Sequence, residues 1–150
     1  MILCCGEALI DMIPDQAGAG GSAYRPHPGG AVFNTAIALG RLGAPVGLLS
    51  GVSTDPFGQQ LHDSLARDGV STELLIRSDR LTTLAMVHLI DGSATYSFYD
   101  ENSAGRMIST ADMPALPDQV SALFFGGISL AAEPGADTYA GLLELSLIHI

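Results

Sequence analysis

One carboxylate, one glycine pair and one amide supply the clearest candidate chemistry in the chain. Asp11 follows an apolar run, Gly29 and Gly30 precede a second apolar run, and Asn34 lies shortly inside it. A carboxylate accepts hydrogen bonds from two hydroxyl groups and is costly to bury without donors, whereas an amide both donates and accepts. Glycines let a ligand approach the backbone and permit positive φ angles, so that N–H groups can point at it. These residues predict a pocket for a neutral, polyhydroxylated ligand.

Each of these residues also has a purely structural interpretation. Asp11 could cap a turn, the glycine pair could form an ordinary turn, and Asn34 could hydrogen-bond the neighbouring turn. Taken singly, none of them specifies a ligand site, and only their combination favours one.

The elements that must position these side chains predict an α/β fold. Residues 2–10 are almost continuously apolar, as in a buried strand of a parallel sheet, and ligands bind beyond the carboxyl ends of such strands, where Asp11 would lie. Residues 31–42 predict a buried helix that stops at Gly43. Further strands are predicted at 46–50, 74–76 and 122–125, and further helices at 55–68, beginning at Asp55-Pro56, and at 135–145. This alternation indicates a parallel sheet with helices on both faces.

Two irregular regions interrupt this pattern. Asp91-Gly92 is a strong hairpin signal between strands predicted at 83–90 and 94–99, and it indicates a flap outside the main sheet. The segment 18–22, Gly-Ala-Gly-Gly-Ser, has the composition of a phosphate loop but lacks the G-x-x-x-x-G-K-[ST] pattern, so a flexible turn between two short strands is favoured.

Composition limits the classes of partner. The 150 residues are 47% hydrophobic and carry a formal charge of −10, which disfavours nucleic acid and anionic membrane surfaces as partners. Cys4 and Cys5 would point to opposite faces of a strand, which indicates reduced thiols in a cytoplasmic protein. The first residues lack the features of a signal peptide, and no apolar run is long enough to span a bilayer. No metal is expected, because the four histidines show no ligand spacing.

Four segments together form a family signature. It comprises Gly6-Glu7-Ala8-Leu9-Ile10-Asp11, Gly29-Gly30-Ala31-Val32-Phe33-Asn34, Arg41-Leu42-Gly43, and Gly51-Val52-Ser53-Thr54-Asp55-Pro56-Phe57-Gly58. This signature resembles the amino-terminal part of the PfkB, or ribokinase-like, carbohydrate kinases, and most of all the fructokinases. Ser53 stands where glycine is common, and Val32-Phe33 replace smaller residues. The resemblance implies a truncated ribokinase-like (Rossmann-like) fold with a small β lid formed by approximately residues 12–28 and 82–100.

The resemblance also implies roles for individual residues. Asp11, Gly29, Gly30 and Asn34 would hold sugar hydroxyls. Phe98 could present its ring to the apolar face of the sugar, with core packing as the alternative. Arg106, in a segment similar to one in fructokinases, could contact sugar or developing phosphate charge, with a solvated surface arginine as the alternative. An apolar outer lid face, Leu84, Met86 and Phe98, would favour a homodimer through the lid.

The implied activity is transfer of the γ-phosphoryl group of ATP, with Mg²⁺, to a sugar, most simply fructose to fructose 6-phosphate. The family's G-A-G-D segment, which carries the catalytic base, and its N-x-x-E motif do not occur in these residues. We therefore expect a substrate-binding half that is inactive alone and binds ATP and Mg²⁺ poorly, with residues 146–150 as a non-native tail. Alternatives are a kinase for 2-keto-3-deoxygluconate or another sugar, which for a sugar acid should add a basic residue to the cleft, a non-catalytic sugar-binding module, and a fragment that does not fold stably.

Overall fold

A computed structural model describes residues 1–15, 23–91 and 93–148 of the chain. Its central sheet is parallel, with β4 (Val46–Leu49), β1 (Ile2–Cys5) and β9 (Ala122–Phe125) in that order. Successive side chains of β1 enter opposite cores, as the period of a strand requires. Cys4 packs in one core and Cys5 in the other, and both are free thiols.

Three helices cover the two faces of this sheet. Side chains of α1 (Ala31–Arg41) and α2 (Pro56–Arg67) share the core of Cys4, whereas Tyr139 of α3 (Gly135–Ile148) lies in the core of Cys5. The predicted α/β layering is thus confirmed. Helix α3 continues through Ile148, beyond its predicted end, and the last two residues of the expected tail lie outside the described residues. In the described ranges no helix is long and apolar enough to cross a membrane.

A second sheet contains the segments expected to form a lid. Its strand order is β3 (Ala23–Gly29), β2 (Leu9–Asp15), β7 (Leu84–Ile90) and β8 (Ser93–Tyr99), with an antiparallel pair at each side and β2 parallel to β7. The predicted hairpin is confirmed, and Asp91 in its turn has a φ of 51°. The glycine-rich segment 18–22 falls outside the described residues.

Two strand predictions were wrong. Residues 2–10 are not one strand, because the chain leaves the central sheet after Cys5 and enters the second sheet at Leu9. Gly6 makes this break: its φ is 154°, and an added Cβ would lie 2.6 Å from Val32 and 2.7 Å from the Ser129 hydroxyl. Asp11 is therefore inside β2, not beyond a central strand. The strand predicted at 74–76 is instead β6 (Ile76–Ser78), which pairs in parallel with β5 (Gly51–Ser53).

Candidate functional site

Asp11 lies in a row of side chains that crosses one face of the four-stranded sheet. It is in register with His27 on β3 and with Ala85 on β7, and Ala85 is in register with Phe98 on β8. Because paired residues of neighbouring strands point to the same face, these four side chains share one surface. The structure thus brings together Asp11 and Phe98, which are far apart in sequence.

The Asp11 carboxylate is half-buried and accepts no hydrogen bond from any residue that the structure describes. Burial raises the pKa of Asp11, and the nearby His27 partly offsets this. The carboxylate packs over Gly29, where an added Cβ would collide with its Oδ2 and lie 3.0 Å from its Cγ. Asp11 therefore caps no turn or helix here, and its acceptor atoms are available to a ligand with hydroxyl groups.

Gly30 turns the chain into α1 with a φ of 106°, as predicted for the glycine pair. The expectation that backbone N–H groups here point at a ligand was wrong for the first turn of the helix. The amides of Ala31 and Val32 donate to Glu7 Oε1 at 2.9 and 3.3 Å, and the amide of Phe33 donates to the Glu7 carbonyl at 3.2 Å. A carboxylate next to a helix N-terminus satisfies these donors and complements the helix dipole, which leaves none of the three for a ligand.

Asn34 is exposed one turn into α1. Its side chain makes no hydrogen bond with the part of the chain that the structure describes, so the local-turn alternative is not observed. The hydroxyl of its neighbour Thr35 instead donates to the Ala31 carbonyl at 2.9 Å. The amide of Asn34 is thus free to donate to and accept from a ligand.

Arg106 is held in place by two contacts. Its Nε donates to the Glu133 carbonyl at 2.7 Å, and its guanidinium pairs with Asp100 Oδ1 at 3.1 Å. It is therefore not a freely solvated arginine. It lines a small cavity of about 30 Å³ whose wall includes Leu9, and Leu9 and Asp11 alternate onto the same face of β2. Other side chains at this cavity are those of Glu7, Thr83, Asp100 and Ser129.

Phe98 does not belong to a core. It is 43% exposed and stacks on Tyr96, with ring centroids 6.1 Å apart and an interplanar angle of 19°. The apolar lid face proposed from sequence was also wrong, because Leu84 and Met86 are in register with Tyr99 and Ser97 on the opposite face. Leu84 packs against the core of Cys4 instead of facing outward.

Sequence reasoning missed the part played by Glu7. This residue, 9% exposed, lies just beyond the carboxyl end of β1, the position predicted for Asp11. It also accepts a hydrogen bond from the Ser129 hydroxyl at 2.9 Å. A single acidic residue inside an apolar run was the available signal, since such a group must find donors when it is buried.

The described residues do not supply a metal centre. In the ranges that the structure covers, no group of three or more His, Cys, Asp or Glu side chains converges as a metal ion would require. The donor set therefore does not fit Mg²⁺, and no chemical step through a metal is derived from these residues.

Comparison with known proteins identifies the family. The pattern of the "pfkB family carbohydrate kinase" group matches residues 1–144. This chain belongs to the pfkB family. A fructokinase of Rhizobium leguminosarum bv. trifolii is 50% identical over 144 residues, which make up 96% of this chain and 44% of the relative.

Solved structures support the same assignment and the ribokinase-like fold. A fructokinase from Xylella fastidiosa with bound ATP superposes with a TM-score of 0.78 and 32% identity, covering 92% of this chain and 45% of that one. A fructokinase from Vibrio cholerae in a fructose-, ADP- and calcium-bound form gives 0.73 and 26%, covering 93% and 44%. This pfkB chain thus spans less than half the length of these relatives.

Proposed function

We propose that this chain is the sugar-binding half of an ATP-dependent fructokinase that converts fructose to fructose 6-phosphate. The observation that carries the proposal is the Asp11 carboxylate, half-buried, without a hydrogen-bond partner among the described residues and fitted against Gly29. Such a group gains most from a ligand that presents adjacent hydroxyl groups. The 50% identity to a fructokinase supports fructose as that ligand.

In this proposal the residues of the chain bind and orient the sugar. Asp11 accepts hydrogen bonds from two hydroxyl groups, Gly29 and Gly30 let the sugar approach the backbone, Asn34 contacts another hydroxyl, and the Phe98 ring covers an apolar face. The four-stranded sheet acts as a lid that excludes water, so that phosphoryl transfer goes to the sugar and not to solvent. ATP with Mg²⁺ supplies the phosphoryl group in the intact enzyme.

The catalytic base and the nucleotide site belong, in this proposal, to the part of the relatives that this chain does not cover. No described residue is assigned as catalytic. Phosphoryl transfer depends on positioning and charge stabilisation around the transferred group. We therefore expect the 150-residue chain alone to bind sugar without phosphorylating it.

The charge pairing of Arg106 favours a neutral sugar over a sugar acid. A kinase for 2-keto-3-deoxygluconate needs a cation for the substrate carboxylate, and Arg106 already pairs with Asp100 at 3.1 Å. Arg25, on the same sheet, likewise pairs with Asp15, at 2.6 Å. Each of these cations would have to leave its partner before it could bind a substrate carboxylate.

For the intact protein we also propose a homodimer through the lid, with β8 at the contact. Every residue of this edge strand is exposed, and it carries Tyr96, Phe98 and Tyr99. Exposed edge strands with aromatic side chains are prone to pair with another copy. Light scattering of the intact protein at micromolar concentration tests this, and a monomer there would contradict it.

Calorimetric titration of the chain with fructose tests the binding half of the proposal. We expect saturable binding to the wild type and a loss of about 10- to 100-fold in affinity for Asp11→Asn, because hydrogen bonds to a charged acceptor are the strong ones. Asp15→Asn is the matched control on the same face of β2, and it should bind as the wild type does. Tighter binding of 2-keto-3-deoxygluconate than of fructose would refute the substrate assignment.

A coupled assay for ADP release tests the catalytic half. We expect no fructose-dependent ADP from the 150-residue chain, and measurable turnover would show that the proposed inactivity is wrong. Sequencing the source locus past the codon for Ile150 then separates a kinase from a binding module. An in-frame G-A-G-D segment supports the kinase, and a stop codon there supports a non-catalytic sugar-binding module.

A further inference from the structure

Glu7 is a buried charged group to which the proposed sugar contacts give no role. Both of its carboxylate oxygens are occupied. Oε1 accepts the amides of Ala31 and Val32, and Oε2 accepts the Ser129 hydroxyl at 2.9 Å. These partners begin α1 and belong to the 3₁₀ turn Gly127–Leu130 after β9. One side chain therefore joins three segments at the carboxyl end of the central sheet.

Two glycines make room for this one residue. At Gly127, with a φ of 72°, an added Cβ would collide with the Glu7 carboxylate and lie 2.6 Å from its Cδ. At Gly30 an added Cβ would lie 2.9 Å from the Glu7 carbonyl oxygen. An ordinary helix cap needs only donors from its own helix. Here the backbone on both sides is shaped around the carboxylate.

The position of Glu7 in the chain links it to both halves of the sugar site. Its own backbone leads directly into β2, which carries Asp11. Its side chain and carbonyl hold the first turn of α1, which begins after the glycine pair and carries Asn34. The distance between Asp11 and Asn34 is thus set through Glu7, although neither of these side chains touches it.

We propose that Glu7 is a positioning residue for the sugar site: it fixes the glycine pair and the first turn of α1 relative to Asp11. The inference rests on the proposed function, because it assigns Asp11 and Asn34 to the same ligand. Sites lose affinity steeply when the groups that contact the ligand shift, and a displacement of about 1 Å can cost about 100-fold. A residue that acts only as a helix cap would contribute to stability and leave affinity unchanged.

Two substitutions at Glu7 separate these roles. Glu7→Gln keeps an oxygen for the two amides, and its NH₂ group can donate to Ser129 Oγ, whose hydrogen then goes to the Gly126 carbonyl 2.7 Å away. Glu7→Ala removes all three hydrogen bonds. At a temperature where each variant is folded by circular dichroism, we expect the fructose Kd of Glu7→Gln to stay within about threefold of wild type and that of Glu7→Ala to rise about tenfold or more.

Asp55→Ala is the matched control. Asp55 caps α2 through the Gly58 amide at 2.7 Å, so its loss also removes a carboxylate from a helix N-terminus. We expect a lowered Tm with an unchanged fructose Kd. If Glu7→Ala does not fold, Ser129→Ala replaces it, because this change removes one partner of Glu7 and leaves the α1 amides capped. Its Kd should rise at least about threefold.

The outcomes distinguish the inference from the function on which it rests. If the wild-type chain binds no fructose, the proposed function fails, and the positioning role fails with it. If the wild type binds and Glu7→Ala, or Ser129→Ala in its place, binds equally well with a lowered Tm, the function stands and Glu7 is only a cap. A Glu7→Gln variant as weak as Glu7→Ala would also overturn the inference, since the hydrogen-bond geometry would then not be what matters.

Discussion

Replacing Gly29 with alanine should disable Asp11 while leaving the fold intact. Gly29 lies in β3 and is not among the glycines with positive φ, so its backbone conformation is open to alanine. The added Cβ would collide with Asp11 Oδ2 and would contact no other residue within 4 Å apart from its chain neighbours. The obstacle is thus the end of a side chain, which can rotate away more easily than backbone can move.

The expected energies follow from this geometry. Alanine restricts the unfolded chain and so stabilises by about 0.4–1 kcal/mol where the native backbone accepts it. Forcing Asp11 away from its rotamer costs about 0.5–1.5 kcal/mol. The two effects nearly cancel, and the free energy of unfolding should stay within about 1 kcal/mol of wild type. A displaced carboxylate, however, loses hydrogen bonds worth about 1.5–3 kcal/mol each, so fructose affinity should fall about 10- to 100-fold.

A double-mutant cycle tests whether Gly29 acts through Asp11. Fructose titrations and thermal denaturation would compare wild type, Gly29→Ala, Asp11→Ala and the double variant. Because Asp11→Ala removes the atoms in collision, the second substitution should then have little effect on affinity, and the coupling should equal most of the Gly29→Ala loss. Gly141→Ala is the control, since an added Cβ there meets nothing within 4 Å. Additive losses, or unchanged affinity in Gly29→Ala, would refute the reasoning.

Three further predictions concern titratable groups. Burial raises the pKa of Asp11, so its ionised form disfavours the folded state at neutral pH: Asp11→Asn should raise the Tm by about 2–4 °C there, a gain that shrinks as pH falls through the raised pKa, while fructose binding by the wild type weakens over the same range. Burial tends to raise the pKa of Asp55, but hydrogen bonds from Gly58, Thr82 and Ser53 outweigh it and hold the pKa below its ordinary value; denaturation of Asp55→Ala should show a loss of about 2 kcal/mol that disappears as pH falls through the lowered pKa. Burial raises the pKa values of Cys4 and Cys5 to about 11 and about 12, so both thiols should react with a disulfide reagent only as fast as the chain unfolds.

Features specified by neighbouring residues were predictable from the sequence. The start of α2 at Asp55-Pro56 was read correctly, because the capping aspartate contacts an amide only three residues away. The hairpin at Asp91 was also read correctly, since its signal is the turn itself. The opposite faces of Cys4 and Cys5 follow from the period of a strand alone.

Features that depend on distant contacts were not predictable in this way. The apolar run at 2–10 supplies buried residues to two different sheets, and an apolar pattern reports burial without saying in which sheet. What divides it is Gly6, whose lack of a Cβ is required by Val32 and Ser129, far along the chain. The identity of the residue beyond β1 depended on that break, so Asp11 was placed where Glu7 lies.

The two carboxylates of the signature, Glu7 and Asp11, solve the cost of burial in opposite ways. Glu7 is the more buried and has three donors from the protein, so it is satisfied in the ligand-free fold. Asp11 is less buried and has no donor among the described residues, although glycine leaves space beside it just as Gly127 does beside Glu7. A fully satisfied carboxylate gains little from a ligand, whereas an unsatisfied one gains the hydrogen bonds that it lacks. The energetic reward for binding a sugar is therefore concentrated at Asp11, and Glu7, which would compete poorly for the same hydroxyls, is left to hold the geometry in which that reward is obtained.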